Sequence, residues 1–454
     1  MCSSKSESAT GANLTLVLAI LAIAIGYMLN PVNGSLVVTA YPTMADYFQV
    51  PYAHMSTMIM LFMAATAAAQ PLSGGLGDIF GRKNVFLLGV LGFMVASVFA
   101  GLAGSFVMLV FWRMAQAVFS GLILANGVAL VALVAPRERA GSYLGVLNSA
   151  MTGAAALGFP AGGMILHAFD WHMLFWINIP FGLASLLLGI FYLPGDKSGT
   201  AKFTSLSFIG LPLVPLAFVL QAIIRRESTL PYLVLLFLAV AIWLYSFLRS
   251  NSSRAQLATI NNRQFNLSCI ATFFTAIVQF GIIFTMPAWI LVSLGIGTGL
   301  LGVYFMISSV CMLVISPIVG RYLDNHDARW VKLLALTVML AELLILLLAL
   351  NTLSLAVAMV FHGLALAIIY LLAQRSAFLV APSQSQALAM GLFSSFRAFG
   401  SLLGNALAAV ILAQYAEVTA EAGREVMFYI AVLCFWPIAL ALVLLTSNKA
   451  EAKP

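Results

Sequence analysis

A chain of 454 residues that is 63% hydrophobic and only 8% charged cannot hide its apolar surface inside a water-soluble globule, because soluble domains carry about a quarter charged residues. That composition excludes a soluble enzyme and requires an integral membrane protein. The net charge of +7 reports membrane topology, not nucleic acid, since no basic stripe with interleaved aromatics occupies a soluble segment.

Apolar runs of about twenty residues, without the period-two alternation of a barrel strand, predict membrane-crossing helices. Fourteen are expected, near 13–39, 55–78, 84–103, 106–134, 142–167, 172–193, 206–224, 231–248, 265–293, 298–322, 331–350, 353–381, 386–414 and 425–447. The first holds Asn30, Pro31, Asn33 and Gly34 too centrally for a cleaved leader, so it is expected to stay in the membrane. The second closes on PLSGGLGDIFGRK, from Pro71 to Lys83. Its glycines allow close helix approach, Arg82 and Lys83 hold the turn at a cytoplasmic face, and Asp78 suits a helix N-terminus or a guanidinium. Gly74, Asp78, Gly81, Arg82 and Lys83 read either as a latch between halves or as a topogenic turn.

The fourth run carries Arg113, Gln116 and Asn126, and the fifth carries Asn148. Farther along the fifth, Gly158, Gly162 and Gly163 surround Pro160, a pattern suited to a tight seam or a hinge. His167, Asp170 and His172 are ligand-type residues, but they fall at a helix-to-helix turn beside Trp171, and no metal or cofactor is expected. Gln279 and Trp289 lie in the ninth run, Glu342 in the eleventh, His362 in the twelfth and Arg397 in the thirteenth. Ionisable groups inside lipid are costly and are functional candidates by default. Glu342 and His362 are candidate proton carriers, each with the alternative of a packed, hydrogen-bonded residue. Asn33, Arg113, Gln116, Asn126, Asn148, Gln279, Trp289, His362 and Arg397 are candidate cavity residues, with helix-to-helix glue as the alternative for each amide.

The tenth run ends in PIVGRYLDNHDAR. Pro71, Gly74 and Asp78 are thus matched by Pro317, Gly320 and Asp324, and the same offset carries Leu133 to Pro136 onto Leu379 to Pro382. Gly145, Ser149 and Gly158 likewise recur as Gly391, Ser395 and Gly404. One constant spacing indicates a duplicated unit, a common construction of secondary transporters. It sets the second, fourth and fifth runs onto the tenth, twelfth and thirteenth. The expected organisation is a six-helix bundle over 1–193, an inserted two-helix hairpin with its linkers over 194–255, and a second six-helix bundle over 256–454.

Basic residues give the orientation. With a cytoplasmic N-terminus, only Arg225, Arg226 and Arg424 among the loop cations fall outside. Both termini are therefore expected in the cytoplasm, with the chain a multi-pass protein of the plasma or inner membrane.

Further residues carry a resemblance. Gly74, Leu76, Asp78, Gly81, Arg82 and Lys83, then Arg113 and Gln116, then Trp171, Phe175, Asn178, Pro180 and Gly182, then Arg397, Gly400 and Gly404 are similar to the signatures of the major facilitator superfamily. More closely, they resemble its fourteen-span drug:proton antiporter family. The resemblance implies an all-α major facilitator fold and a monomer that exports drugs or small amphipathic metabolites by alternating access, in exchange for protons. The chain departs from the pattern in places: Gly77 and Ile79 replace the loop signature's usual alanine and arginine, Pro160 is one residue late, and Asn33 stands where that family has an aspartate. Asparagine carries no exchangeable proton at physiological pH. Coupling then needs another group, or the protein is an uncoupled facilitator of a neutral or anionic solute, which arginines without a carboxylate partner would favour. No constellation of carboxylates, histidines or nucleophiles suggests an enzyme.

Overall fold

The computed structural model describes residues 3–50, 53–196, 205–225, 228–293, 298–348, 352–382, 385–412 and 420–445. Every regular element among them is helical: α1 (Ser3–Thr39), α2 (Tyr41–Phe48), α3 (Ala53–Phe80), α4 (Arg82–Gly101), α5 (Phe106–Val134) and α6 (Ala140–Ala168). There follow α7 (Met173–Trp176), α8 (Asn178–Tyr192), α9 (Leu213–Arg225), α10 (Leu230–Arg249), α11 (Asn251–Ile260) and α12 (Arg263–Ser293). The chain ends with α13 (Thr298–Asn325), α14 (Arg329–Leu348), α15 (Thr352–Val380), α16 (Gln386–Leu412) and α17 (Ala420–Leu444).

Backbone groups in hydrocarbon must be satisfied within their own segment, which is why the apolar runs become helices. Ten described helices are long and apolar enough to cross a membrane, and α6 makes eleven although it bends by 41° between Gly158 and Pro160. A proline in a helix removes one backbone donor and loosens the turn before it. The described parts of the seventh and fourteenth expected spans are apolar but shorter, and the eleventh is α14, which carries Lys332 and Glu342. All fourteen expected spans therefore have a helical counterpart. The seventh departs most, with a 3-10 turn at Ser205–Phe208 before α9 begins at Leu213.

Helices α1, α3, α4, α5, α6 and α8 pack on one another, as do α12 to α17. The two groups meet mainly where α6 crosses α13 and where α3 crosses α16. Helix α9 lies against both α3 and α16, with Ala217 clustered with Ala64 and Leu402. Helix α10 packs on α9 and has no buried residue. Its Leu230, Phe237, Ile242 and Leu248 face outward, as a lipid-facing helix requires.

Candidate functional site

The turn between α3 and α4 is made by Gly81, whose φ of 91° is left-handed and would strain any other residue. Lys83 Nζ donates to the carbonyls of Ile190 at 2.9 Å and Leu193 at 2.7 Å, holding the end of α8 beside this turn. The Arg82 guanidinium lies 3.4 Å from Asp78 Oδ1, and its backbone N–H donates to Asp196 at 3.0 Å. These contacts aim the Asp78 carboxylate across the molecule. Its two oxygens accept from the N–H groups of Ala387 at 3.3 Å and Leu388 at 3.1 Å, in the first turn of α16. A carboxylate at a helix N-terminus meets unpaired donors and the positive end of the helix dipole.

The same contact occurs a second time. Asp324 accepts from the N–H groups of Gly141 and Ser142, both at 2.8 Å, in the first turn of α6. Each partner is displaced by 246 positions, the separation that also relates Met151 to Arg397. The correspondence continues along the seam. Ser149 Oγ donates to the Leu313 carbonyl at 2.8 Å, and Ser395 Oγ donates to that of Ala67 at 3.0 Å. A β-carbon on Gly145 would lie 2.7 Å from the Ser316 carbonyl oxygen, and one on Gly391 would strike that of Gln70. Gly74 and Gly320 similarly lie against the backbone of Ala387 and Gly141. The symmetry breaks at the flanks: Asp324 also accepts from the Ser142 hydroxyl at 2.6 Å and takes its guanidinium from Arg375 of α15, at 3.7 Å.

Beyond the seam a cavity of about 20 Å³ lies between the two groups of helices, walled by Tyr27, Asn148, Met151, Tyr370, Gln374 and Arg397. That is room for about one water. Asn148 Nδ2 donates to Gln374 Oε1 at 2.8 Å, closing the gap from α6 to α15. Arg397 rests 3.8 Å from the sulfur of Met151, its own counterpart in the repeat, and 5.9 Å from the centre of the Tyr370 ring. Among the described residues it forms no ion pair with a carboxylate. A hollow of about 830 Å³ beside Tyr47, His167, Asp170, His172 and Trp176 is larger, but it is an open surface depression within the first group of helices. No trio of metal-binding side chains occurs among the described residues.

Two helix groups related by one offset, with mirrored contacts at one end and a polar cavity between them, invite comparison with known proteins. The family model of the Major Facilitator Superfamily matches residues 23–254 and 268–454. The chain belongs to that superfamily. It is a transport protein, not an enzyme. Among its relatives, the riboflavin transporter RibZ of Clostridioides difficile is 26% identical over 69% of this chain and 69% of its own. The putative multidrug resistance protein MdtD of Escherichia coli O81 is 26% identical over 68% of this chain and 67% of its own. Among solved structures, the human organic anion transporter MFSD10 superposes with a TM-score of 0.65 at 15% identity, over 94% of this chain and 99% of that one. That likeness shows the fold alone.

In this superfamily member the remaining sequence candidates separate into three sets. Asn33, Arg113 and Gln116 come together in a buried chain: Arg113 Nη1 donates to Asn33 Oδ1 and, at 3.1 Å, to Gln116 Oε1. Gln116 in turn donates to Ser97 Oγ at 2.7 Å. The guanidinium lies 4.2 Å above the Phe62 ring, a favourable site for a cation. Asn126 donates to the carbonyls of Ser73 at 3.1 Å and Leu122 at 2.9 Å, tying α5 to α3.

Of the second set, Asn148 and Arg397 line the inter-group cavity, and Gln279 reaches its wall through Tyr370. Gln279 accepts from the Tyr370 hydroxyl at 2.8 Å. Trp289 belongs to α12, and its side chain lies outside the described residues. Of the fifth-run motif, Gly158 faces Ser35 and Gly162 faces Thr39 and Leu36, so both form a seam between α6 and α1. Gly163 meets nothing within 4 Å, and Pro160 is exposed.

The third set is a pairing that the sequence leaves unread. Glu342 and His362 meet, His362 Nδ1 lying 2.7 Å from Glu342 Oε1, with both residues 3% exposed.

Proposed function

We propose that this transporter exports amphipathic organic molecules, neutral or anionic, in exchange for protons. The single observation carrying that reading is Arg397, a guanidinium at a cavity wall between the helix groups with no described carboxylate to neutralise it. A cation's place in such a cavity is disfavoured by like charge, whereas a carboxylate or sulfonate gains charge-assisted hydrogen bonds. Alternating access would move the cavity from one side to the other by rocking residues 1–193 against 256–454, with 194–255 beside the seam. Asp78 and Asp324 act as latches on the basic end, and cargo drives rocking only through contacts that differ between the two states. MdtD, named for multidrug resistance, and RibZ, named for riboflavin, support an organic cargo.

The test is flux in proteoliposomes, using taurocholate as anion, riboflavin as neutral solute and ethidium as cation, with and without an imposed pH gradient. The expected result is saturable, gradient-driven movement of the first two and no movement of ethidium. Transport of ethidium alone overturns the cargo reading. Saturable flux indifferent to the gradient supports the second reading, an uncoupled facilitator, which Asn33 in place of an acid favours.

A further inference from the structure

We propose that Glu342 and His362 together form a proton-binding site that loads and releases one proton per transport cycle. This rests on the proton exchange proposed above and names where it occurs. The pair lines a second cavity of about 20 Å³, distinct from the one at Arg397. Its walls are apolar: Val278 of α12, Met339 of α14, Ile369 of α15 and Ile438 of α17. The one other polar side chain there, Thr275, donates its hydroxyl to the Ala271 carbonyl at 2.7 Å. Among the described residues no further charged side chain lines the cavity from α12, α14, α15 or α17. By helix register Cys434 lies one turn from Ile438 on α17, and a thiol is uncharged at neutral pH.

An isolated charge in such surroundings is strongly disfavoured. With one proton between Nδ1 and Oε1 the pair is neutral overall, whichever atom holds it. With none it is an anion, and with two a cation. While the cavity is closed the pair therefore keeps a single proton and exchanges it with nothing. Release requires α14 and α15 to part and water to enter. The proton then passes to water, leaving a carboxylate and a neutral imidazole that a proton from the opposite side restores. Conformation thus decides when the proton moves, and that is the property coupling needs.

The alternatives inside the molecule are poorer. Arg113 never gives up its proton and Asn33 has none to give. Asp78 and Asp324 are held at the basic end by helix N-termini. The pair is also linked to the cargo cavity, because α15 lines one cavity with Leu366 and the other with Ala367. Helix α12 likewise presents Thr275 to the pair and Gln279 to Tyr370.

Two measurements test the site. In proteoliposomes with taurocholate, Glu342→Gln and His362→Gln are expected to lower gradient-driven accumulation about tenfold or more while changing taurocholate exchange at equal pH by about twofold or less. Undiminished gradient-driven accumulation in Glu342→Gln, with the wild type driven, overturns the proposal alone. A wild type that exchanges taurocholate but ignores the gradient instead overturns the exchange reading beneath it. Loss of both activities in a folded Glu342→Gln marks the pair as a structural tie and also overturns the proposal. The second measurement needs no cargo: infrared difference spectra of the protein in vesicles, stepped between about pH 5 and pH 8. A carboxyl band present in the wild type and absent from Glu342→Gln supports the site. The same band in both overturns it. Should the glutamine variant fail to fold, Glu342→Asp replaces it, where a shifted band supports and an unmoved band overturns.

Discussion

At the residue scale, Arg113 and Arg397 show two treatments of a guanidinium within the membrane. Arg113 is 2% exposed and wrapped by amides and an aromatic face, which disperses its charge but supplies no counter-ion. Asn33→Asp provides one at hydrogen-bond range. Charged hydrogen bonds contribute about 1.5–3 kcal/mol, so thermal unfolding of the variant is expected roughly 2–4 °C or more above the wild type. Differential scanning fluorimetry checks it, and an unchanged midpoint rejects the view that Arg113 lacks compensation. Arg397 is half-buried and lies at a cavity. Arg397→Gln is expected to raise the half-saturation concentration for taurocholate about tenfold while leaving riboflavin within about threefold.

Residue by residue, the sequence was readable where a residue's role was local or repeated. Asp78 and Asp324 announce themselves by recurrence in one spacing, and the structure gives them partners related by that same spacing. Gly158 and Gly162 follow from the small-residue pattern, whereas Gly163, which looks equivalent as a letter, lies on the open side of α6. The partner of Glu342 was not readable from the composition of either helix, since it depends on how two helices turn toward each other.

At the element scale, apolar length carries nearly all the information, so the long helices were legible and α2 and α11 were not. These have 8 and 10 residues, too few to announce a span, and they lie at turns that hydropathy alone reads as loops. The contact of α6 with α1 depends on glycine at two positions. Gly158→Leu would drive a side chain into Ser35 and the Val32 carbonyl, and overpacking of this kind destabilises by about 1–3 kcal/mol. Gly163→Leu is the control, expected to leave the unfolding midpoint unchanged. The latches are elements too, because each joins a carboxylate in the last turn of one helix to the first turn of another. Their loss is expected to open the basic end: with Ser149→Cys in a background lacking native cysteines, Asp78→Asn should speed maleimide labelling roughly tenfold, from a charge–dipole contribution of up to ~2 kcal/mol. Asp324→Asn should do the same. Equal labelling with and without the carboxylate rules out the latch.

At the scale of the whole molecule, the α9–α10 hairpin stands outside the repeat that relates the two helix groups. Among its described helices α9 touches both sides of the seam, α3 and α16, while the 3-10 turn at Ser205–Phe208 adds a contact with α3 alone. A bulky residue at Ala217, which is 1% exposed between Ala64 and Leu402, is therefore expected to slow transport several-fold by resisting relative movement of the bundles. Phe237→Ala on α10, 72% exposed, is expected to change neither rate nor stability beyond about 0.5 kcal/mol. Transport assays on both variants decide whether the hairpin rides on the seam or merely lies beside it.

The reciprocal capping has a further consequence. Asp78 grips α16 as Asp324 grips α6, so each surface finds in its opposite what it itself offers, as in an isologous twofold dimer. The covalent tie between bundles is then incidental to their recognition. Severed ahead of α12, the two polypeptides should find each other when co-expressed and purify as one complex.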